Sequence, residues 1–477
     1  MREGKRANAY LTVYLVLTLT VLLSLCLVLI EGVRKNGASL QVTCATEVSM
    51  QSIMAEYHRE LLRQYNLFAI DASYGTDTCV KRNTEARLYH YLCENLEITG
   101  RDFFGLSVVG AELTGVSILT DGNGAVFRKR AVEAIRDDAG LELLEQIMSW
   151  VETVQINGLE NGTLEREKAA LDREIEEYEV PAEVTDDAGK TEASEGKVEN
   201  PTEQLNALRK KGILKLVLRE EHQLSPKSVV TENLVGNRIR RSEVNKGNLD
   251  ISGEESLIDR FLFQEYLIHY MGCYVDEKAE GALSYQLEYL LTGKEQDAEN
   301  LRGVVNRLCM LREVANVTHL YADAEKRGEA ELLATTICTA LLVPELTPVF
   351  HATIMLGWAY GESVHDVKML LEGKRIPLLK DKATWYLGLN TALSGELYGD
   401  GGEGTGLSYE DYLRVFMMLS DLDTLTLRAM DVVESDIRIT PGNSRFRLDG
   451  CYDAVQAEIA VTGSEKYRFE LIREKSY

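Results

Sequence analysis

The chain has 477 residues, 45% of them hydrophobic, which allows two or three folded domains and excludes a wholly disordered polymer. Lys and Arg number 52 against 76 Asp and Glu, a formal charge of −24, and because Arg2, Lys5 and Arg6 outweigh Glu3 the chain beyond residue 8 carries −26. That balance lacks the basic footprint that nucleic acid or a flat anionic lipid surface requires, and it favours solubility outside a bilayer.

Residues 7–30 run for about 24 positions without a charge and are rich in Leu, Val and Thr, long enough to cross the hydrocarbon layer as one helix. A cleaved signal would show a shorter apolar core and a small-x-small site, whereas Glu31-Gly32-Val33-Arg34-Lys35 follows here, so an uncleaved anchor is expected. The transmembrane helix is placed at 9–30 with 1–8 as a cytoplasmic tail. Arg2, Lys5 and Arg6 before the span outnumber Arg34 and Lys35 after it, which puts the bulk of the chain on the extracytoplasmic side of the cell membrane. Glu31, at the outer edge, is expected to pair with Arg34 or Lys35 one turn on, or else to contact a packed subunit.

Past the span, Val33, Gly37, Leu40, Cys44, Val48, Met54, Tyr57, Leu61 and Tyr65 recur mostly at three- and four-residue steps, the stripe of a long amphipathic stalk. An unbroken helix from Ala9 to Tyr65 would measure roughly 85 Å. A short strand is expected at 66–71, a helix near 84–95 and a strand or bent strand at 106–119 that closes on the turn Asp121-Gly122-Asn123-Gly124. Residues 31–124 therefore read as stalk plus strands of an α+β unit. A helical segment fills 125–180, its 163–179 part charged nearly all round and expected to project into solvent or to be only marginally helical. Residues 181–201 read as an acidic flexible linker, and 202–436 as a helical domain with helices at 257–272, 280–292, 297–323, 327–342, 350–373 and 409–436. The apolar runs 332–343 and 349–360 are too short to span a membrane and read as core helices. In 437–477 the alternation of Val455, Ala457, Ile459 and Val461, then Tyr467, Phe469 and Leu471, predicts two strands returning to the earlier ones. The fold class is mainly α with a small antiparallel sheet (α+β), a transmembrane helix continuing as a stalk, and a large helical insertion.

Motifs for catalysis are wanting: there is no H-E-x-x-H, G-x-S-x-G, Walker-type loop or paired C-x-x-C, and the seven histidines fall at no ligand spacing. No catalytic, cofactor-binding or metal residue is assigned. The glycine-rich stretch 399–406 lacks a preceding strand and carries Asp400 and Glu403, which repel phosphate, so it reads as a solvent loop with at most weak Ca²⁺ binding. Trp358, Tyr360, Trp385 and Tyr386, with His351, Glu362 and Asp366 close in sequence, could line a ligand pocket, but core packing and capping account for them more simply. Of eight cysteines, Cys26 lies in the span; Cys79 and Cys93 are near enough to bridge, and the others read as small apolar fillers.

Beyond residue chemistry, several stretches form a pattern: Glu31-Gly32, Ala55-Glu56-Tyr57, Glu60-Leu61-Leu62 and Tyr65-Asn66-Leu67-Phe68-Ala69-Ile70-Asp71, then Asn200-Pro201, Leu208 and Gly212-Ile213-Leu214. Further along stand Tyr285-Gln286-Leu287-Glu288-Tyr289-Leu290-Leu291, Gly293-Lys294, Asn300-Leu301, Leu311-Arg312-Glu313, Asn316 and Ser408-Tyr409-Glu410-Asp411-Tyr412-Leu413. Together they resemble an uncharacterised family of Gram-positive membrane proteins of the TadE/TadG-like kind. The resemblance implies a non-enzymatic, pseudopilin-like or assembly role in a Tad/Flp-like pilus or secretion apparatus. The apolar span makes the lipid bilayer a partner and the acidic charge excludes nucleic acid, while the resemblance implies other membrane or pilus-machinery subunits met through the stalk helix. Gly4 is followed by Lys5-Arg6-Ala7-Asn8-Ala9, without the Glu five residues on that marks a processed pilin. The other class of function open to the chain is an anchored extracytoplasmic enzyme or ligand-binding receptor that uses the helical domain.

Overall fold

A computed structural model describes residues 3–76, 78–97, 104–136, 141–158, 163–178, 202–203, 207, 209, 212–218, 224–241, 256–278, 280–395, 404–463 and 467–477. The expected linker 181–201 and the acidic residues Asp400 and Glu403 lie outside them. The chain forms two compact units, the first from 1–131, 238–254 and 440–477, the second from 132–237 and 255–439.

The first unit is built on α1 (Glu3–Met54), 52 residues without a break and about 78 Å long at 1.5 Å per residue. The helix stops short of the expected Tyr65. The backbone at 57–58 turns to pair with the sheet instead: Tyr57 bridges Ile70, and the His58 N–H donates to the Ala69 carbonyl at 2.9 Å. His58 then caps a separate α2 (Arg59–Tyr65) by accepting the Leu61 N–H on Nδ1, and Asn66 closes that helix in the left-handed region, φ 51°. Of the strand expected at 66–71 only β1 (Ile70–Asp71) forms.

Next come α3 (Lys81–Glu97) and β2 (Leu106–Ile118), and the C-terminal β3 (Cys451–Gly463) and β4 (Tyr467–Ser476) complete the sheet. β3 is central: it pairs antiparallel with β2 on one edge and with β1 and then β4 along the other. Register shifts in β2 at Val108/Gly110 and Leu113/Gly115 bend the strand where glycine weakens the pleat. After β2, Gly122, Asn123 and Gly124 all take positive φ (61°, 55° and 84°), a left-handed corner that glycine and asparagine tolerate, at the head of α4 (Asp121–Ile135). The core lies between the sheet and the two helices above it. Val42, Ala45, Met50 and Ile53 of α1 and Leu88, Leu92 and Leu96 of α3 meet Leu113, Val116, Val455, Ile459 and Val461. Gly37 lets the Phe104 ring approach to 2.9 Å of where a Cβ would stand.

The second unit is helical: α5 (Leu141–Ile156), α6 (Thr163–Glu177), α7 (Ile213–Val217), α8 (Leu257–Tyr270), α9 (Gln286–Thr292), α10 (Asp297–Ala322), α11 (Ala324–Ala340), α12 (Thr347–Leu371), α13 (Leu389–Ser394), α14 (Tyr409–Leu419) and α15 (Leu422–Arg438). The helix expected over 409–436 is two, because Asp421 caps a new start by accepting the Thr424 N–H at 2.8 Å. Ser256 with Asp259 and Ser408 with Asp411 form reciprocal capping boxes that fix the starts of α8 and α14. α12 is buried nearly all round and is the hub, contacting α6, α7, α10, α11 and α13. α11, expected as a core helix, buries only the small residues Ala330, Ala334 and Cys338, which let it approach α12 closely, and leaves Leu332 exposed. α6 does not project freely: Ile175 is buried and Lys168 is ion-paired with the buried Glu313 of α10.

Candidate functional site

The aromatic and acidic residues singled out at 351–386 separate into two groups. Trp358 and Trp385 meet edge to face with centroids 5.7 Å apart, and both indole N–H groups donate to one carbonyl, that of Leu387, at 2.9 and 2.8 Å. The N–H groups of Tyr386 and Leu387 donate in turn to the two oxygens of Glu362, at 2.9 and 2.8 Å. The segment after α12 is thereby stitched back onto it. Tyr360 and His351 stand elsewhere. The Tyr360 ring lies beneath the Arg209 guanidinium at 4.2 Å, and half-buried His351 sits on the first turns of the same helix.

Beneath the tryptophans lies an ion network of which the sequence revealed only the acids. Lys380 pairs with Glu362 and, at 2.6 Å, with Asp366, and Arg312 meets Asp366 at 3.0 Å, all four side chains being fully buried. Arg312 also donates to the carbonyls of Pro377 and Leu378 at 2.7 and 2.8 Å, and Asn316 donates to Ser363 and to Asp366, each at 3.2 Å. Two cations balance two carboxylates, as burial in a low dielectric demands. Burial pushes Asp366 up, but Arg312 and then Lys380 overcome it and hold the carboxyl below its ordinary value. Burial likewise pulls Arg312 down and is outweighed by Tyr412 and Asp366, which leave it above its usual range. Above the network His319 stacks on Trp385 at 5.3 Å, its pKa lowered by burial, and the Lys326 ammonium lies 5.1 and 5.0 Å from the two indole centroids. These contacts hold loop 376–388 to α10 and α12. They use the polar groups on the chain itself, the arrangement of a structural clamp.

Lys380 carries no local sign of this role, and Arg312 only one. Arg312 falls on the apolar face of α10 one turn after Leu308, a cation out of place in a buried stripe, and that misfit was the one available signal. Cys79 and Cys93 are free thiols, and burial followed by Asp71 pushes the Cys79 thiol up to about 11. Among the described residues no group of three His, Cys, Asp or Glu side chains is placed to hold a metal ion.

The second candidate surface is α1 itself. Among the described residues it is the one helix long and apolar enough to cross a membrane, its most apolar 18-residue stretch having a mean hydropathy of 2.8. From Tyr10 to Val33 every residue but Thr18 is exposed, and the hydroxyls of Thr18, Thr20 and Ser24 donate to carbonyls one turn back, which satisfies them without water. Burial begins at Ala38. Opposite the buried face, Val33, Leu40, Cys44 and Val48 remain exposed at steps of seven, four and four, in line with the apolar surface below. Glu31 and Lys35 are exposed there and Arg34 is half-buried.

No curated protein and no solved structure matches this chain. A family model does, over residues 191–463, more than half of the chain and reaching from the second unit to the end of β3. The chain belongs to DUF5702, a family of unknown function.

Proposed function

We propose that this protein is a membrane-anchored, non-enzymatic component of a Tad/Flp-like pilus or secretion apparatus, pseudopilin-like or an assembly factor, with a cytoplasmic N-terminus and an extracytoplasmic body. The observation that carries the reading is the continuity of α1. One helix runs unbroken from an exposed apolar stretch over residues 10–30 into a half that is packed on one side against an antiparallel sheet. Apolar surface on the scale of residues 10–33 is not left to water, and a bilayer is the covering that its length matches. The resemblance to TadE/TadG-like proteins supports the same reading, since a single-pass stalk can meet like helices side by side. Val33, Leu40, Cys44 and Val48 extend the lipid-facing surface past the hydrocarbon edge and supply the strip along which a neighbouring stalk would lie.

Cys44 makes the proposal testable in native membranes. In a Cys26→Ser background, a short bis-maleimide is expected to link Cys44 to a second copy or to a pilus-machinery subunit, identified by mass spectrometry and absent from the Cys44→Ser control. Recovery of the chain in the aqueous fraction, or labelling at Cys44 with no linked protein, would overturn it.

A further inference from the structure

The second unit holds a polar cleft that the clamp around Trp358 does not use. It encloses about 730 Å³, within the range of small-molecule sites, between α6, the turn before α7, and α10. One wall is the outer face of α10, where Arg302, Asn306, Met310 and Glu313 follow one another at helical steps. The facing wall carries Lys168 from α6 and Arg209, and the Tyr360 ring lies under both cations, 5.4 and 4.2 Å from their charged centres. Among the described residues three cations line it in a chain whose net charge is −24: Lys168 and Arg209 meet at Glu313, and Arg302 stands three turns earlier on α10. Two carboxylates, Asp172 and Glu313, share this described lining, which is positive by one charge.

The role of Glu313 decides the ligand class. Its side chain is 6% exposed, it is ion-paired with Lys168, and it lies 3.6 Å from Arg209. A carboxylate therefore already sits where the two cations converge, and it holds them in position. Arg302 and Asn306 stand exposed along the same wall, one turn apart, three and two turns before Glu313. We infer that the cleft binds a small anion bearing carboxylate or phosphate oxygens. The anion lies between the Arg302–Asn306 edge and the Arg209 guanidinium, and any apolar portion rests on Met310 and Ile213. Arg302 and Arg209 supply forked donors suited to either oxyanion, and Asn306 supplies an amide N–H. Beside Tyr360 a smaller cavity of about 30 Å³, lined also by Thr353 and Gly357, has room for a single water.

The experiment uses the full chain in detergent micelles, titrated separately with citrate and with inorganic pyrophosphate and followed by calorimetry. At least one probe is expected to saturate a single site below millimolar concentration; citrate alone would indicate a planar carboxylate ligand, pyrophosphate alone a phosphate one. Arg302→Ala, at an exposed position where folding is not at risk, is expected to weaken binding ten-fold or more. Glu313→Gln, which releases Lys168 and Arg209 from their internal partner, is expected to tighten it. Failure of both probes to bind, or affinity unchanged in Arg302→Ala, would overturn the inference and leave the anchoring proposal untouched.

Discussion

Glu288 is an acid enclosed by the helical core. One oxygen accepts the Tyr409 hydroxyl at 2.7 Å and the Tyr274 N–H at 2.8 Å, while the other meets no hydrogen-bond donor of another residue among the described residues. Burial pushes its pKa up to about 7 from 4.5 in the unfolded chain. The Cys273 thiol beside it, pushed up by burial to about 12, stays neutral, and Asp297 adds a minor upward push. The folded state therefore holds a proton that the unfolded chain releases. This contribution is fully present below pH 4.5 and is lost as the pH rises through about 7, a swing of up to about 3 kcal/mol. Urea denaturation should show that Glu288→Gln removes this part of the pH dependence and raises stability at pH 8. An unchanged pH profile would mean that Glu288 is already ionised when folded. The clamp supplies a second residue-scale expectation. Lys380→Met leaves buried Glu362 without a cation and Asp366 with Arg312 alone, and should cost about 3–5 kcal/mol, read as a shift of the denaturation midpoint. Adding Glu362→Gln should restore part of the loss, since the unpaired charge is then gone.

At the scale of elements, α1 does two jobs with one backbone, and the test is to interrupt it between them. Ser39 is exposed and lies just past the first buried residue of the helix, Ala38. Ser39→Pro removes a helical hydrogen bond and crowds the preceding turn at a cost of about 3 kcal/mol. The chain should still fractionate with membranes, because residues 10–30 are intact, while cross-linking at Cys44 should fall several-fold as the strip loses its alignment with the span. Equal cross-linking in the two chains would show that continuity is not needed. The same element shows where periodicity misleads. Tyr57, Leu61 and Tyr65 keep the helical spacing past Met54, yet the backbone between them leaves the helix, because His58 and Tyr57 find partners in the strand at Ala69 and Ile70. A stripe read along the chain cannot register a hydrogen bond offered from another segment.

For the whole molecule, none of residues 10–33 is buried, and among the described residues burial on α1 begins at Ala38. A chain that starts at Arg34 should therefore stay in the aqueous phase, kept soluble by its negative charge, and should melt within a few degrees of the full chain by circular dichroism. Aggregation or loss of a cooperative melt would show that the span contributes to folding as well as to anchoring. By itself the sequence determined the exposed apolar span, the helical character of 257–436 and the alternation of the C-terminal hairpin, because each is written in a local period that burial on one side imposes. Only the tertiary structure decided that β3 lies at the centre of the sheet, and that α12 gathers the helices around it. The same holds for Arg312 and Lys380 answering Asp366 and Glu362, and for Arg302 and Arg209 facing one cleft. These are pairings between residues tens to hundreds of positions apart, set by packing and charge balance, and no window of adjacent residues contains them.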